Sequence, residues 1–278
     1  MTASGAETTA VRVDDLAVEY PGRRLSAPHR ALHGVDVVVG DDEVVGIVGE
    51  SGSGKSTLAR VIAGDLVAPK GADPAPVIVG GDATVLGHRL RGIRRRELTS
   101  LTFNVAYLPQ DAASRLAPEL TVAEVIAQPI LERDRLYNRK ALGLRVATML
   151  DAVELPLAVF EKYPFELSSG QRQRVAVARS LVLGPKLWVA DEPTAGIDVT
   201  VRGAISHLIA RLHEEGSFAA VLISHDLSLL RRSTSRVAAL HDGRIVGLGP
   251  IDDLLAHPEH PFLAGLSHAN STVSSDAG

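Results

Sequence analysis

The run Gly49-Glu50-Ser51-Gly52-Ser53-Gly54-Lys55-Ser56-Thr57 sets three glycines around a lysine and several hydroxyls. The spacing fits G-x-x-x-x-G-K-[ST], and the chemistry it suits is phosphate binding. Glycines let successive backbone N–H groups turn inward as a nest for phosphate oxygens. Lys55 brings a point charge for the β- and γ-phosphates, and Ser56 a hydroxyl for Mg²⁺. Asp191 and Glu192 form a second chemical group. Asp191 suits a Mg²⁺ ligand, direct or through water, and Glu192 suits a general base aimed at an attacking water. The plainer alternative is a solvated carboxylate pair capping the segment at Pro193-Thr194. His225 can hydrogen-bond a γ-phosphate or serve a structural role. Gln110 can reach Mg²⁺ or the water, or simply end a strand in a Pro-Gln turn. The Tyr20 ring can stack on adenine or fill a loop.

Leu167–Arg174 reads LSSGQRQR. Ser168 and Gln171 have capping-box spacing, Ser-x-x-Gln, with Ser169 and Gly170 between them. Good helix formers follow, with Val175, Ala178, Leu181 and Val182 on one side. A helix therefore starts here with a glycine in its first turn, and such an end attracts anions. An ordinary capped helix is the alternative.

The elements that position these residues follow from periodicity and turn signals. Val11–Tyr20, Ala31–Val39, Glu43–Val48, Val77–Gly87 and Val105–Leu108 read as strands. The P-loop thus follows a strand and opens a helix, Ser56–Ala63. Arg91–Leu98 is expected as a short helix. Loops rich in Pro and Gly are expected at Pro21–Arg30 and Ala68–Pro76. From 113 to 166 the pattern is helical: Thr121 and Glu124 form a second capping box, and Leu142, Val146, Leu150 and Val153 repeat at helical spacing. This stretch is read as a helical insertion in an α/β domain. Strand and helix then alternate: Leu187–Ala190, Val201–Glu215, Ala219–Ser224 and Leu227–Arg232, with a hairpin about Asp242-Gly243. Asp226 is a candidate cap for the helix at Leu227. Alternation implies a largely parallel sheet with helices on its faces. Asp191 and Glu192 are expected on a strand beside the P-loop strand, at the edge where α/β ligands bind. Trp188, inside that strand, is assigned to the core. Residues 1–9 and the Ser-rich stretch from Asn270 are expected to be loose.

Composition narrows the classes. The 278 residues suffice for a full core, with 45% hydrophobic and 22% charged residues. A net charge of −4 disfavours a general nucleic-acid binder or a polybasic membrane anchor. There is no cysteine, so disulfides and thiolate metal sites are excluded. No apolar run has the length of a membrane span, and MTASGAETTA lacks the features of a secretory signal. A soluble chain is expected, with any membrane role exercised through partners.

In this order the motifs resemble the nucleotide-binding subunit of an ABC transporter. The resemblance covers roughly residues 10–265. It implies Tyr20 as the adenine-stacking aromatic, Gly49–Thr57 as Walker A, Gln110 as the Q-loop and Leu167–Gln171 as the signature. It further implies Walker B at Leu187–Asp191, Glu192 as catalytic base, a D-loop at Ala195–Asp198 and His225 as the switch histidine. ATP and Mg²⁺ are the implied cofactors, with Ser56, Gln110 and Asp191 around the metal. The implied fold is a P-loop ABC ATPase: a mixed-sheet core at 10–112 and 167–249 with antiparallel N-terminal strands, a helical subdomain at 113–166 and a C-terminal extension at 250–269.

GESGSGKST, LAPELTVAEVIAQP and HPEHPFLAGL are similar to the peptide/nickel importer family. That family implies a second, different ATPase subunit, two integral membrane permease subunits, an external solute-binding protein and no nucleic acid. It places the ATPase on the cytoplasmic face of the membrane. Two subunits would sandwich ATP head to tail, the Walker A of one against the signature of the other. Two departures stand out: Ser169 replaces the usual signature glycine, and the D-loop reads Ala-Gly-Ile-Asp rather than Ser-Ala-Leu-Asp. The resemblance leaves open an exporter ATPase or a soluble ABC ATPase outside transport.

Overall fold

The computed structural model describes residues 9–22, 27–67, 74–198, 202–214, 216 and 218–275, with side chains up to 268. The expectations for residues 1–8, for 23–26 and 68–73 of the two Pro/Gly loops, for Val201 and Glu215 and for 276–278 lie outside the described residues.

Two sheets form the frame. Strands β1 (Thr9–Tyr20), β2 (His29–Gly40), β4 (Val77–Val85) and β5 (His88–Arg89) make an antiparallel sheet in the order β2-β1-β4-β5. The other strands are β3 (Val44–Gly49), β6 (Val105–Leu108), β7 (Leu187–Asp191), β8 (Ala219–Ile223), β9 (Arg236–His241) and β10 (Arg244–Gly249). They form the second sheet, in the order β10-β9-β3-β8-β7-β6. All its pairs are parallel except the β9–β10 hairpin at the edge. The expected α/β class with a mixed sheet and antiparallel N-terminal strands is what the chain adopts.

The order corrects one expectation. β7, which ends in Asp191, is not beside the P-loop strand β3; β8 lies between them. The ends of β3, β8 and β7 still open on one edge, because the three run parallel and in register: Ile47 stands opposite Ile223, and Ile223 opposite Asp191.

Strand periodicity divides the core. Val45, Ile47, Leu187, Val189, Val221 and Ile223 face one side of the parallel sheet, against Leu58, Val61 and Ile62 of α1 (Lys55–Ile62) and the antiparallel sheet. Val44, Val48, Trp188, Ala190, Ala220 and Leu222 face the other side. Trp188 is fully buried there, as its place in the strand requires. On that side lies α5 (Ser169–Leu181), with Val175, Ala178, Leu181 and the following Val182 all in the core.

Between β6 and β7 the chain is helical. α3 (Val122–Arg133) starts at the Thr121 cap, where Glu124 N–H donates to Thr121 Oγ1 at 3.3 Å and Thr121 N–H donates to Glu124 Oε2 at 2.8 Å. α4 (Arg139–Ala152) buries Val146 and Leu150. α2 is displaced from its expected position and runs Arg95–Thr102. Gly92 at φ 73° ends the preceding turn, and Glu97 accepts from the Arg94 backbone N–H at 3.3 Å, so the helix opens after Arg94. After β7 come α6 (Gly203–Glu214), α7 (Leu227–Ser233), α8 (Ile251–Ala256) and α9 (Pro261–Ser275). Thr9 belongs to β1, and α9 continues through Ser275.

Candidate active site

The phosphate-binding loop bridges β3 and α1. Gly52 and Gly54 have φ of 82° and 103°, where a side chain is strained. A Cβ on Gly54 would lie 2.7 Å from the Ala31 carbonyl oxygen, and one on Gly49 would collide with that of Leu240. The cradle therefore requires glycine at both positions. No side chain caps α1, so its first-turn N–H groups remain for an anion. Gly243 of the β9–β10 turn braces the loop by donating its N–H to Ser53 O at 3.0 Å.

Lys55 is buried and curls back over the loop, donating from Nζ to Gly49 O at 2.8 Å and Glu50 O at 2.6 Å. Burial lowers its pKa, against the pull of Asp191, Glu192 and Glu50. Ser56 and Glu50, Ser51 and Gly52 are exposed, while Ser53 and Thr57 are buried.

The carboxylates meet this loop from β7. Asp191 is buried, and its Oδ2 has no hydrogen-bond partner. Burial raises its pKa, opposed by the Ser56 hydroxyl and then the Lys55 charge. The orphaned oxygen, next to an exposed hydroxyl, fits a divalent cation. Mg²⁺ normally takes only one or two protein ligands and completes its shell with phosphate and water.

Glu192 follows in a left-handed conformation, φ 54°. Its N–H donates to Ile223 O at 2.9 Å, which fixes it to β8. Burial pushes its carboxyl up to about 7, beyond what the His225 backbone N–H and Lys55 restore. A carboxylate in that range is suited to accept a proton near neutral pH. His225, just after β8, places Nε2 3.5 Å from Glu192 Oε1. Burial and then Lys55 depress the imidazole, which favours its neutral form. Asp226 caps α7 as expected, accepting from Ser228 N–H at 3.0 Å and Leu229 N–H at 3.1 Å.

The structure therefore gathers Lys55, Ser56, Asp191, Glu192 and His225 at one sheet edge. Gln110 is exposed two residues beyond β6, the strand next to β7. Tyr20 reaches the loop through its hydroxyl, 3.2 Å from Thr57 Oγ1, with the Arg60 guanidinium 5.8 Å from its ring centroid.

The Leu167–Gln171 segment stands apart. Ser168 and Gln171 close the expected capping box: Gln171 N–H donates to Ser168 Oγ at 3.2 Å, and Ser168 N–H to Gln171 Oε1 at 3.0 Å. Ser168 and Ser169 are exposed. Their neighbourhood is Ala195–Asp198: Ser169 Oγ lies 3.5 Å from Gly196 O, and a Cβ on Gly170 would come within 3.0 Å of that oxygen. Asp198 is exposed at the end of this stretch.

Sequence reading missed two tethers. Arg202 donates to Ile197 O at 3.0 Å and to Asp226 Oδ2 at 3.3 Å, linking the segments after β7 and β8. Gln173 reaches the backbone at Glu192. The available signal was a polar residue at helical spacing from the buried Ala176 and Val177.

A nest of N–H groups, a buried lysine and paired strand-end carboxylates define a P-loop nucleotide-hydrolysing enzyme. Residues 32–195 match the family model described as ABC transporter. The chain is 33% identical over 268 residues to the Oligopeptide transport ATP-binding protein OppF of Lactococcus lactis subsp. lactis, covering 95% of this chain and 81% of that one. It is 37% identical to the Probable peptide ABC transporter ATP-binding protein y4tS of Sinorhizobium fredii, over 92% of this chain and 71% of that one. Among solved structures, the ATP-binding cassette MJ0796, in a dimeric post-hydrolysis state bound to ADP and Pi, superposes with a TM-score of 0.76. It has 27% identity, over 86% of this chain and 98% of that one. The chain belongs to the ABC transporter family and is an ATP-binding ATPase of that family.

Proposed function

We propose that this chain is the ATP-hydrolysing subunit of an importer for peptide-type solutes, bound to the cytoplasmic face of a membrane through separate permease subunits. The observation that carries the reading is the joint placement of Lys55, Asp191, Glu192 and His225 at the P-loop edge, in a chain whose relatives are named for peptide transport. Among the described residues no helix is long and apolar enough to cross a membrane, in keeping with a role that depends on membrane partners.

ATP lies with its phosphates on the N–H groups of Gly49–Thr57 and its β- and γ-oxygens at Lys55, which exchanges its loop carbonyls for them. Tyr20 stacks on the adenine. Ser56 and Asp191 would hold Mg²⁺, with Gln110 in reach of it or of the attacking water, and the ion would supply charge neutralisation to the phosphates. Glu192 accepts the proton of the attacking water, and neutral His225 hydrogen-bonds the γ-phosphate.

Ser168, Ser169, Gly170 and Gln171 complete the ATP site of a second ATPase subunit, a different chain in the heterodimer reading, and Asp198 lies at the junction between the two sites. The helical subdomain, about 113–166, receives the permease; a groove between α3 and α4 there has Leu131, Leu142 and Phe160 on its lining together with Glu124, Arg135 and Arg139. An external binding protein supplies the solute. Purification of the tagged chain from its native membrane tests the reading: two membrane proteins and a second ATPase should accompany it. Recovery in soluble complexes alone overturns it.

A further inference from the structure

Gln173 is the only polar side chain among the buried residues of α5, and it is 2% exposed. Its Nε2 donates to Glu192 O at 3.1 Å and to Pro193 O at 3.3 Å. A buried amide is costly unless its hydrogens are used, and here they are spent on two consecutive carbonyls of one turn. That turn is the strained one. Glu192 has a positive φ, a conformation non-glycine residues keep only where their surroundings enforce it. Its N–H is held from the sheet by Ile223 O, and its carbonyl also accepts from Ala195 N–H at 3.1 Å. The remaining hold comes from the signature helix. Lower down the same helix, Ser169 and Gly170 rest on Gly196.

We propose that Gln173 is a positioning residue for ATP hydrolysis: it holds the turn that aims the Glu192 carboxylate, and it makes that aim depend on the seating of the helix that begins at Ser168. The inference rests on Glu192 acting as the base. In the sandwich arrangement, α5 is pressed by the partner's nucleotide while Glu192 serves this chain's own nucleotide. Gln173 is then a direct hydrogen-bonded link between the two sites: one side chain and two hydrogen bonds.

The test measures kcat and KM for MgATP in the complete transporter for Gln173→Met, Gln173→Asn, Glu192→Gln and the double variant Gln173→Met/Glu192→Gln. Methionine keeps the length and bulk but lacks the donors; asparagine keeps the amide one methylene short. Gln173→Met is expected to lower kcat on the order of a hundredfold, the scale of an ångström's misplacement, with KM unchanged. Gln173→Asn should fall between it and wild type, and the double variant should be no slower than Glu192→Gln, as expected for residues acting as one unit. Wild-type kcat in Gln173→Met while Glu192→Gln is stalled overturns the positioning role alone. Wild-type turnover by Glu192→Gln removes the base assignment and this role with it. Should Gln173→Met fail to bind ATP, Gln173→Asn decides: lowered kcat at unchanged KM supports the role, and wild-type kcat overturns it.

Discussion

Ser169 Oγ and the carbonyl oxygen of Gly196 lie 3.5 Å apart, so the departure from the common signature touches one of the departures from the common D-loop pattern. A methyl group on Gly196 would fall 3.6 Å from Ser169 Cβ, ordinary contact distance. The extra side chain at 169 thus leans on this chain's own D-loop, where glycine at 196 serves a positive φ of 68° rather than a need for space.

Ser169→Gly is therefore expected to be nearly neutral. It removes one long, exposed hydrogen bond, worth at most about 1 kcal/mol. Steady-state ATPase assays of the complete transporter should give close to the wild-type rate. A large gain would mean that Ser169 obstructs the partner's nucleotide.

Ser168→Ala should do more. It removes the cap of α5, at a cost of about 1 kcal/mol in stability. In the proposed sandwich it also removes a hydroxyl facing the partner's ATP. Denaturant unfolding of the isolated chain reads the first effect and hydrolysis in the complete transporter the second. Unchanged values in both would remove any special role for this serine.

Lys55→Ala should abolish ATP binding. The lysine's two carbonyl partners already lie within the loop, so the native fold can keep its shape while the charge for the phosphates is lost. Equilibrium binding of a fluorescent ATP analogue checks this; retained affinity contradicts the phosphate role.

Glu43 gives a prediction about pH. Arg236 donates to it from two nitrogens at 2.7 and 3.0 Å, and Gly40 N–H and Ser235 Oγ each donate at 2.9 Å. Led by the Arg236 bond, these hold its carboxyl at about 2, below an ordinary 4.5. The folded pKa is depressed, so the stabilisation is complete above pH 4.5 and lost as pH falls toward 2. Discounted for solvent screening, Glu43→Gln should cost about 1–2 kcal/mol at neutral pH. Unfolding curves of the two proteins should converge in acid. A gap that stays constant down to pH 2 would refute the assignment.

What could be read from the sequence was local. The P-loop is contiguous, its glycines and lysine fall within nine residues, and both capping boxes are set by residues three apart. The P-loop strand was readable as a short apolar run ending in glycine, whereas which of its residues face which side of the sheet, Val45 and Ile47 against Val44 and Val48, came only with the pairing. Strand order was not readable, because the interposition of β8 between β3 and β7 depends on pairings far apart in the chain. The start of α2 shifted because Gly92 and the Glu97 cap outweighed a run of arginines. Gln173 was passed over because its partners are backbone carbonyls, which no side-chain pattern reveals.

The most direct test of Glu192 as the base is single-turnover hydrolysis of γ-labelled ATP by the complete transporter carrying Glu192→Gln. The predicted result is normal binding, with the labelled γ-phosphate retained in a closed dimer and the rate reduced by a factor on the order of 10² to 10⁴. Phosphate release at the wild-type rate would contradict it.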